Sequence, residues 1–188
     1  MTLGVLSFHG DFAEHIALLH SMKQKVVEVR SVDDLAMVNR LIIPGGESTV
    51  MSRFLGMTGV GKEIQKRVKG ESLAVYGTCA GAILIARKVT GKNSPTALGL
   101  IDITIERNAY GTQLQSFQTD LKIKGMKKPL PVAFIRAPII TAVGKGVEVL
   151  STHDGNPVLV RQGRVLAGTF HPEVRGETAI HEMFLEMS

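Results

Sequence analysis

The sequence predicts an α/β fold with a mixed central sheet, helices on both faces of that sheet and an antiparallel extension. Over the first half of the 188 residues, short apolar runs alternate with amphipathic helical stretches, the pattern of strand–helix–strand units in a parallel sheet. In the second half, strand patterns follow one another closely and are separated by turn dipeptides, which favours antiparallel pairing. Neither an internal repeat nor a linker-like stretch interrupts the sequence, so residues 1–188 are expected to form a single domain.

In the first half, short apolar runs predict the strands, and apolar positions at helical spacing predict the helices. In chain order they are a strand at 3–8, a helix at 12–22, strands at 26–29 and 41–43, a helical stretch at 49–68 with a glycine break, a strand at 73–76 and a helix at 80–88. Strands that are apolar on both faces indicate a parallel sheet covered by helices on each side.

The second half contains predicted strands linked by short connections. They lie at 101–105, 116–123, 132–135, 147–152, 158–160 and 165–170, and a closing helix runs from about 177 to 187. Asp154-Gly155 and Gln162-Gly163 are turn signals, because glycine adopts positive φ angles without a steric penalty. These connections predict the antiparallel extension of the sheet.

Composition favours a globular protein of a reducing compartment. Hydrophobic residues make up 44% of the chain and charged residues 21%, which is ordinary for a globular domain. A single cysteine excludes an internal disulfide framework and predicts a cytoplasmic protein. The apolar N-terminus lacks the basic start of a signal peptide, and no apolar run reaches the roughly 18 residues that a membrane span needs. We therefore expect no membrane association.

The net charge of +5 raises the question of nucleic-acid binding. The basic residues are scattered, and the densest groups, at 62–69 and 122–128, are interleaved with acidic or apolar positions. Aromatic residues, which would stack on bases, make up only 5% of the chain. We expect no nucleic-acid partner, and interpret the basic groups as solvated faces or a docking surface for an acidic partner.

The only cysteine, Cys79, lies in the motif Gly-Thr-Cys-Ala-Gly at 77–81, between a strand pattern and a helix pattern. This is the layout of a nucleophile elbow, in which glycines permit a sharp turn that exposes one side chain at the head of a helix. The positive end of the helix dipole there favours a thiolate. A buried structural cysteine is the alternative, since free cysteine is among the most buried residue types.

A cysteine nucleophile needs a base and a third group that orients the base. His171 follows the strand pattern at 165–170 and precedes Glu173 by two residues. Pro172 favours extended backbone at His171, which would place the His171 and Glu173 side chains on the same side. Glu173 would then accept a hydrogen bond from one ring nitrogen while the other nitrogen faces Cys79.

The other histidines on predicted elements are interpreted as bystanders. His15 and His20 fall on the first predicted helix and are expected at its surface or half-buried. His153 lies beside a hairpin turn, and His181 lies on the last helix.

Acyl transfer also requires hydrogen-bond donors for a developing oxyanion. The backbone N–H of Ala80, the residue after the nucleophile, is one candidate. Gly45 and Gly46, which follow the strand at 41–43, would supply another, because backbone without side chains can approach a ligand closely. In α/β sheets, ligand sites form beyond the carboxyl ends of the strands, where all of these loops are expected to meet.

The motifs at 44–49, 77–81 and 170–173 together resemble those of class I, or triad, glutamine amidotransferases. Glu-Arg-Asn-Ala-Tyr-Gly at 106–111 and Phe-Ile-Arg-Ala-Pro at 134–138 resemble one branch in particular, the glutaminase subunits of pyridoxal 5'-phosphate synthase. The similarity spans essentially the whole chain. It implies a flavodoxin-like, three-layer fold.

The resemblance implies hydrolysis of L-glutamine to L-glutamate and ammonia through a Cys79, His171 and Glu173 triad and a glutamyl thioester. The implied oxyanion hole comprises Gly45, Gly46 and Ala80, and the implied glutamine contacts are Gly46, Glu47, Ser48, Arg107, Ile135 and Arg136. No cofactor and no metal is implied.

The resemblance also implies a protein partner, a separate synthase subunit that receives the ammonia within a large hetero-oligomer. Channelling has a physical reason, since free ammonia at neutral pH is mostly protonated and no longer nucleophilic. The isolated glutaminase is expected to be weak until the synthase subunit docks. His9 departs from the family, which usually has Leu-Gln-Gly where this chain has Phe-His-Gly at 8–10, and Thr112 replaces a common arginine.

Two other functions remain open at this point. A cysteine hydrolase of the DJ-1/PfpI type also carries a cysteine elbow in a flavodoxin-like sheet, but lacks the His-Pro-Glu and Pro-Gly-Gly-Glu-Ser motifs. A non-catalytic regulatory module would tolerate loss of Cys79, His171 or Glu173, and all three are present. Capture of Cys79 by a glutamine-mimicking electrophile distinguishes the glutaminase from the module.

Overall fold

The computed structural model describes residues 2–107 and 116–187. The strands are β1 (Leu3–Leu6), β2 (Val26–Val29), β3 (Arg40–Ile43), β4 (Ala74–Thr78), β5 (Ala86–Thr90), β6 (Ile101–Glu106), β7 (Phe117–Leu121), β8 (Leu130–Phe134), β9 (Ile139–Val143), β10 (Glu148–His153), β11 (Asn156–Gln162) and β12 (Val165–Gly168). The helices are α1 (Phe12–Ser21), α2 (Val32–Ala36), α3 (Ser48–Met57), α4 (Val60–Lys69), α5 (Ala80–Ile85) and α6 (Ala179–Glu186), and a 3-10 turn lies at Glu173–Arg175.

The central sheet has seven strands in the order β10-β11-β12-β4-β3-β1-β2. Strands β1 to β4 and β12 run parallel, whereas β10, β11 and β12 pair antiparallel. This confirms the predicted mixed sheet with an antiparallel extension. Two smaller sheets, β5-β6-β9 and β7-β8, flank the central one. The carboxyl ends of β1, β3, β4 and β12 therefore meet at one edge.

Helices cover both faces of the central sheet, as predicted. Alternate side chains of β3 point to opposite faces: Leu41 and Ile43 enter the hydrophobic core beneath α2 to α5, and Ile42 enters the core beneath α1 and α6. Tyr76 of β4 and Phe184 of α6 are fully buried in that second core. The sheet is thus the middle of three layers, which explains the uniformly apolar parallel strands.

One predicted helix is wrong at its end. The stretch at 80–88 is helical only to Ile85, and residues 86–90 form β5, which pairs with β6. The carbonyl groups of Leu84 and Ile85 accept hydrogen bonds from the amides of Leu98 and Leu100. These bonds satisfy the helix end from a distant segment, which the local sequence does not reveal. Strand β9 and helix α2 were also absent from the predicted elements.

The glycine-based turns are confirmed. Gly59, with φ of 76°, separates α3 from α4 at the predicted break. Asp154 and Gly155 have φ of 47° and 78° and form the two-residue connection of the β10-β11 hairpin. Gly163, with φ of 55°, lies in the connection between β11 and β12. No helix among the described residues combines the length and the apolar character needed to cross a bilayer.

Candidate active site

Cys79 occupies a strained turn between β4 and α5. Its φ is 49° and its ψ is −104°, values that non-glycine residues adopt only when the surrounding structure imposes them. The turn depends on its two glycines. A Cβ on Gly77 would lie 2.6 Å from the backbone of Gly81, and a Cβ on Gly81 would collide with the carbonyl oxygen of Ile43. The side chain of Cys79 is left 8% exposed at the edge of the sheet.

His171 and Glu173 follow β12 and form a close pair. A bridge to Ala133, in which the His171 amide donates to the Ala133 carbonyl at 2.8 Å, holds the histidine backbone. Nδ1 of His171 lies 2.6 Å from Oε1 of Glu173, and both residues are buried. The expected extended backbone at His171 fits this bridge, but it does not continue to Glu173, because Pro172 is in the helical region and Glu173 begins a 3-10 turn. The turn, not a strand, brings the carboxylate to the ring.

The charge of His171 depends on its two neighbours. Burial by itself lowers the pKa of His171, but the hydrogen bonds and charges of Cys79 and Glu173 outweigh burial and raise the pKa to about 11. These two neighbours thus favour the protonated form of the ring. Because Nδ1 donates to Glu173, Nε2 is the nitrogen available to Cys79. The Cys79 sulfur also lies 3.9 Å from the carbonyl oxygen of Ile135.

The Gly45-Gly46 loop after β3 packs tightly against the loop after β1. The amide of Asp11 donates to the Gly45 carbonyl at 3.2 Å. A Cβ on Gly45 would lie 2.5 Å from Cε1 of His171, and one on Gly46 would lie 3.2 Å from Nδ1 of His9. The glycines thus let this loop lie against the imidazole, and His9 contacts the same loop.

Glu47 is the N-cap residue of α3, directly before the first helical residue. Its carboxylate accepts hydrogen bonds from the amides of Thr49 and Val50 at 3.1 and 2.7 Å, and lies 3.3 Å from the Arg107 guanidinium. Burial raises the pKa of Glu47, but these hydrogen bonds and the Arg107 charge lower it overall. The residue is therefore a carboxylate at neutral pH, and its position is set by the helix end.

These elements enclose a cavity of about 390 Å³ at the carboxyl edge of the sheet. The predicted site residues that line it are Gly46, Glu47, Ser48, Cys79, Ala80, Arg107, Ile135, Arg136 and His171. Glu173 lies behind His171, and Gly45 packs against the same ring. The predicted motif positions 108–111, and Thr112, lie outside the described residues.

Sequence reasoning missed an acidic residue at the cavity. Asp11 lines it, and Oδ2 of Asp11 lies 3.5 Å from Nδ1 of His171. Its place directly before the helix pattern that begins at residue 12 gave no catalytic signal. Asp11, His171 and Glu173 bring potential metal-ligating atoms within 4.8 Å of one another. A metal on Nδ1 would displace the hydrogen bond to Glu173. We therefore interpret the two carboxylates as neighbours of the imidazole and not as metal ligands.

The interpretation of His15 as a surface or half-buried residue is wrong. His15 and His181 are both fully buried, and Nδ1 of His15 lies 2.9 Å from Nε2 of His181. Nε2 of His15 lies 3.6 Å from Oε2 of Glu173, directly behind the candidate site. The available signal was helical spacing, because Leu18 and Leu19 follow His15 at three and four residues and share its buried face.

The fold, together with the arrangement of cysteine, histidine and glutamate at its edge, is that of a class I glutamine amidotransferase. The chain belongs to the SNO glutamine amidotransferase family, which it matches over residues 5–188.

Relatives match over nearly their full lengths. The pyridoxal 5'-phosphate synthase subunit PdxT of Pseudothermotoga lettingae is 44% identical over 188 residues, which is 100% of this chain and 96% of the relative. The PdxT subunit of Thermotoga maritima is 46% identical over 189 residues, 100% of this chain and 99% of the relative.

Solved structures confirm the flavodoxin-like fold. A crystal structure of a glutamine amidotransferase superposes with a TM-score of 0.94 at 43% identity, and covers 98% of this chain and 97% of the other. PurLQS from Thermotoga maritima superposes with a TM-score of 0.69 at 15% identity, over 98% of this chain and 97% of the other, and shares the fold.

Proposed function

We propose that this chain is the glutaminase subunit of a pyridoxal 5'-phosphate synthase. It hydrolyses L-glutamine to L-glutamate and ammonia for the synthesis of pyridoxal 5'-phosphate, and residues 1–188 act as one glutaminase domain. The PdxT relatives support this proposal through their identity over the whole chain. The structural observation that carries it is the His171 ring, whose Nδ1 lies 2.6 Å from Oε1 of Glu173 and which lines the same cavity as Cys79.

In the first half-reaction, the Cys79 thiolate attacks the carbonyl carbon of the glutamine side-chain amide. His171, held as an imidazolium beside the sulfur, donates its Nε2 proton to the amide nitrogen. The carbon–nitrogen bond breaks, ammonia leaves, and a glutamyl thioester remains on Cys79. Glu173 keeps the imidazole in the tautomer and orientation that this transfer requires.

In the second half-reaction, the now neutral His171 accepts a proton from water while the water oxygen adds to the thioester carbon. The carbon–sulfur bond breaks, which releases glutamate and restores the thiolate–imidazolium pair. Each half-reaction passes through an oxyanion. The backbone amides of Ala80 and the Gly45-Gly46 loop would stabilise it, and a single donor of this kind typically contributes about 3–4 kcal/mol.

Glutamine is a zwitterion, and the cavity offers charges of both signs. Glu47 and Arg107 line it as an ion pair, and Arg136 lines it as well. Gly46, Ser48 and Ile135 complete the proposed contacts. An arginine fork suits the substrate carboxylate, and a carboxylate suits its ammonium group.

The proposed partner is a pyridoxal 5'-phosphate synthase subunit, with which this chain would form a large hetero-oligomer. The ammonia would pass directly to that subunit, because bulk water would protonate it. The reaction needs a free thiol, and the single cysteine fits the reducing cytoplasm, where we place the complex.

The test is glutamate release from L-glutamine by the chain alone and with the synthase subunit, with the Cys79→Ala variant as the blank. We expect release that rises sharply when the synthase subunit is present and is lost in the blank. Equal release with and without the synthase would contradict activation by the partner. Absence of Cys79-dependent release under both conditions would contradict the proposed function itself.

A further inference from the structure

A buried polar cluster lies on the far side of Glu173 from the substrate cavity. It contains His15 of α1, His181 of α6 and Thr78, the residue before the nucleophile, all with 0% exposure. Nε2 of His15 lies 3.2 Å from the Thr78 hydroxyl and 3.6 Å from Oε2 of Glu173. Three separate elements thus converge behind the carboxylate that orients the imidazole.

The two oxygens of Glu173 have different surroundings. Oε1 accepts the hydrogen bond from His171 at 2.6 Å, whereas buried Oε2 has no hydrogen-bond partner within normal distance among the described residues. A buried carboxylate oxygen without a donor is costly, more so when the group is charged. His15 is the side chain beside it, 3.6 Å away. Nε2 of His15 lies nearer the Thr78 hydroxyl, at 3.2 Å, so an N–H there would be shared between that hydroxyl and the carboxylate oxygen.

The charge state of the histidine pair follows from burial. Burial lowers the pKa of His15 well below the ordinary value, helped by the charges of His181 and His171, and it lowers the pKa of His181 to about 4. Both rings are therefore neutral, with one N–H each. If His15 carried its proton on Nδ1, the lone pair of Nε2 would face the Glu173 carboxylate. With the proton on Nε2, the His15 N–H faces the Thr78 hydroxyl and the carboxylate, and Nδ1 lies 2.9 Å from Nε2 of His181.

We propose that His15 is a positioning residue of the glutaminase site. Its Nε2–H lies between the Thr78 hydroxyl at 3.2 Å and Oε2 of Glu173 at 3.6 Å, and holds the carboxylate in the rotation at which Oε1 accepts from His171. The inference rests on the proposed glutaminase function and assigns a role to a residue that does not line the substrate cavity.

Two amide substitutions at one position test the role. The side-chain amide of His15→Gln reaches the place of Nε2 and can donate to Glu173, whereas the shorter His15→Asn reaches only the place of Nδ1. Both are polar amides, so their burial costs are similar. His20→Gln, at an exposed histidine of the same helix, is the control. Glutamate release is measured in complex with the synthase subunit over a range of glutamine concentrations, and thermal melting reports folding.

We expect His15→Asn to lower kcat about 10- to 100-fold, the effect of losing one hydrogen bond to a charged group. KM should change by less than about twofold, because the lost contact acts on the base and not on bound substrate. His15→Gln should stay within about threefold of the wild-type kcat, since the donor is restored. His20→Gln should match the wild type.

The outcomes separate this inference from the proposed function. An active wild-type complex in which His15→Asn and His15→Gln behave alike would overturn the role of His15 alone. A loss that lies mainly in KM would overturn it too. A wild-type complex without Cys79-dependent glutamate release would overturn the proposed function, and the inference with it.

Discussion

The Arg107 guanidinium lies 3.3 Å from the Glu47 carboxylate at the edge of the candidate active site. Two of the proposed glutamine contacts therefore neutralise each other when the cavity holds no substrate. Arg107 is largely buried, with 13% of its side chain exposed, and it also donates to the Thr49 hydroxyl at 3.1 Å. The pair is thus held against the start of α3, where an amino acid with charges of both signs can contact both residues.

Loss of the Arg107 charge should weaken substrate binding more than catalysis. We expect Arg107→Gln to raise KM for glutamine about tenfold or more while kcat changes less, because the fork would contact parts of the substrate that do not react. Steady-state glutamate release in complex with the synthase subunit measures both constants. Arg53→Gln, at an exposed arginine of α3, removes the same charge and should leave both unchanged. An unaltered KM in Arg107→Gln would contradict this binding role.

The nucleophile elbow should not tolerate a methyl group at Gly81. A Cβ there would collide with the Ile43 carbonyl oxygen in the sheet, so Gly81→Ala should lower the free energy of unfolding by about 2 kcal/mol or more. Gly56, near the end of α3, has no atom within 4 Å of a built Cβ. Gly56→Ala should instead raise the free energy of unfolding by about 0.5–1 kcal/mol, through helix propensity. Urea denaturation of both variants measures the contrast, and equal effects would refute the packing argument.

Backbone strain at Cys79 should reverse the usual order of stability of alanine and glycine variants. With φ at 49°, an L-residue is disfavoured by about 1–2 kcal/mol relative to glycine. We therefore expect Cys79→Gly to be at least as stable as Cys79→Ala, although glycine is normally the less stable of the two in a folded chain. Both variants should lack glutamate release. Chemical denaturation decides the order, and a clearly more stable alanine variant would show that the turn is not strained.

Burial of His181 should make the fold sensitive to mild acid. Burial lowers the pKa of His181 from 6.5 to about 4, so between these pH values the unfolded chain binds a proton that the folded protein excludes. Stability should fall as the pH is lowered through this window, by at most about 3 kcal/mol from this group. The neighbouring His15 shifts in the same direction.

The His181→Gln variant tests this linkage. It should lose less stability than the wild type when the pH falls from about 7 to 4, because glutamine does not titrate. Urea denaturation at a series of pH values provides the measurement. Parallel pH curves for the variant and the wild type would be evidence against the assigned cause.

The local sequence predicted helices and strands well where a single hydrophobic pattern, strand-like or helix-like, dominated the segment. The strand at 26–29 was predicted with the bounds of β2, and Gly59 separates two helices where a break was expected. Helix α2 was missed although its signal is local: Ser31 and Asp34 form a reciprocal capping box. Strand β9 and the end of α5 were missed for another reason, since their hydrogen bonds come from segments distant in sequence.

The class of this protein is recognisable before folding is considered: an α/β sheet with a cysteine elbow, a glycine loop and a His-Pro-Glu motif at strand ends. These features depend on residues close together in sequence, because the conformational freedom of glycine and the burial of apolar runs shape the backbone locally. Only the tertiary structure decided that Glu173 reaches His171 through a 3-10 turn, that Glu47 pairs with Arg107, and that His15 lies behind the triad. Those relationships join residues from different elements, and only the packing of α1 and α6 onto the sheet brings His15 and His181 together in a fully buried place.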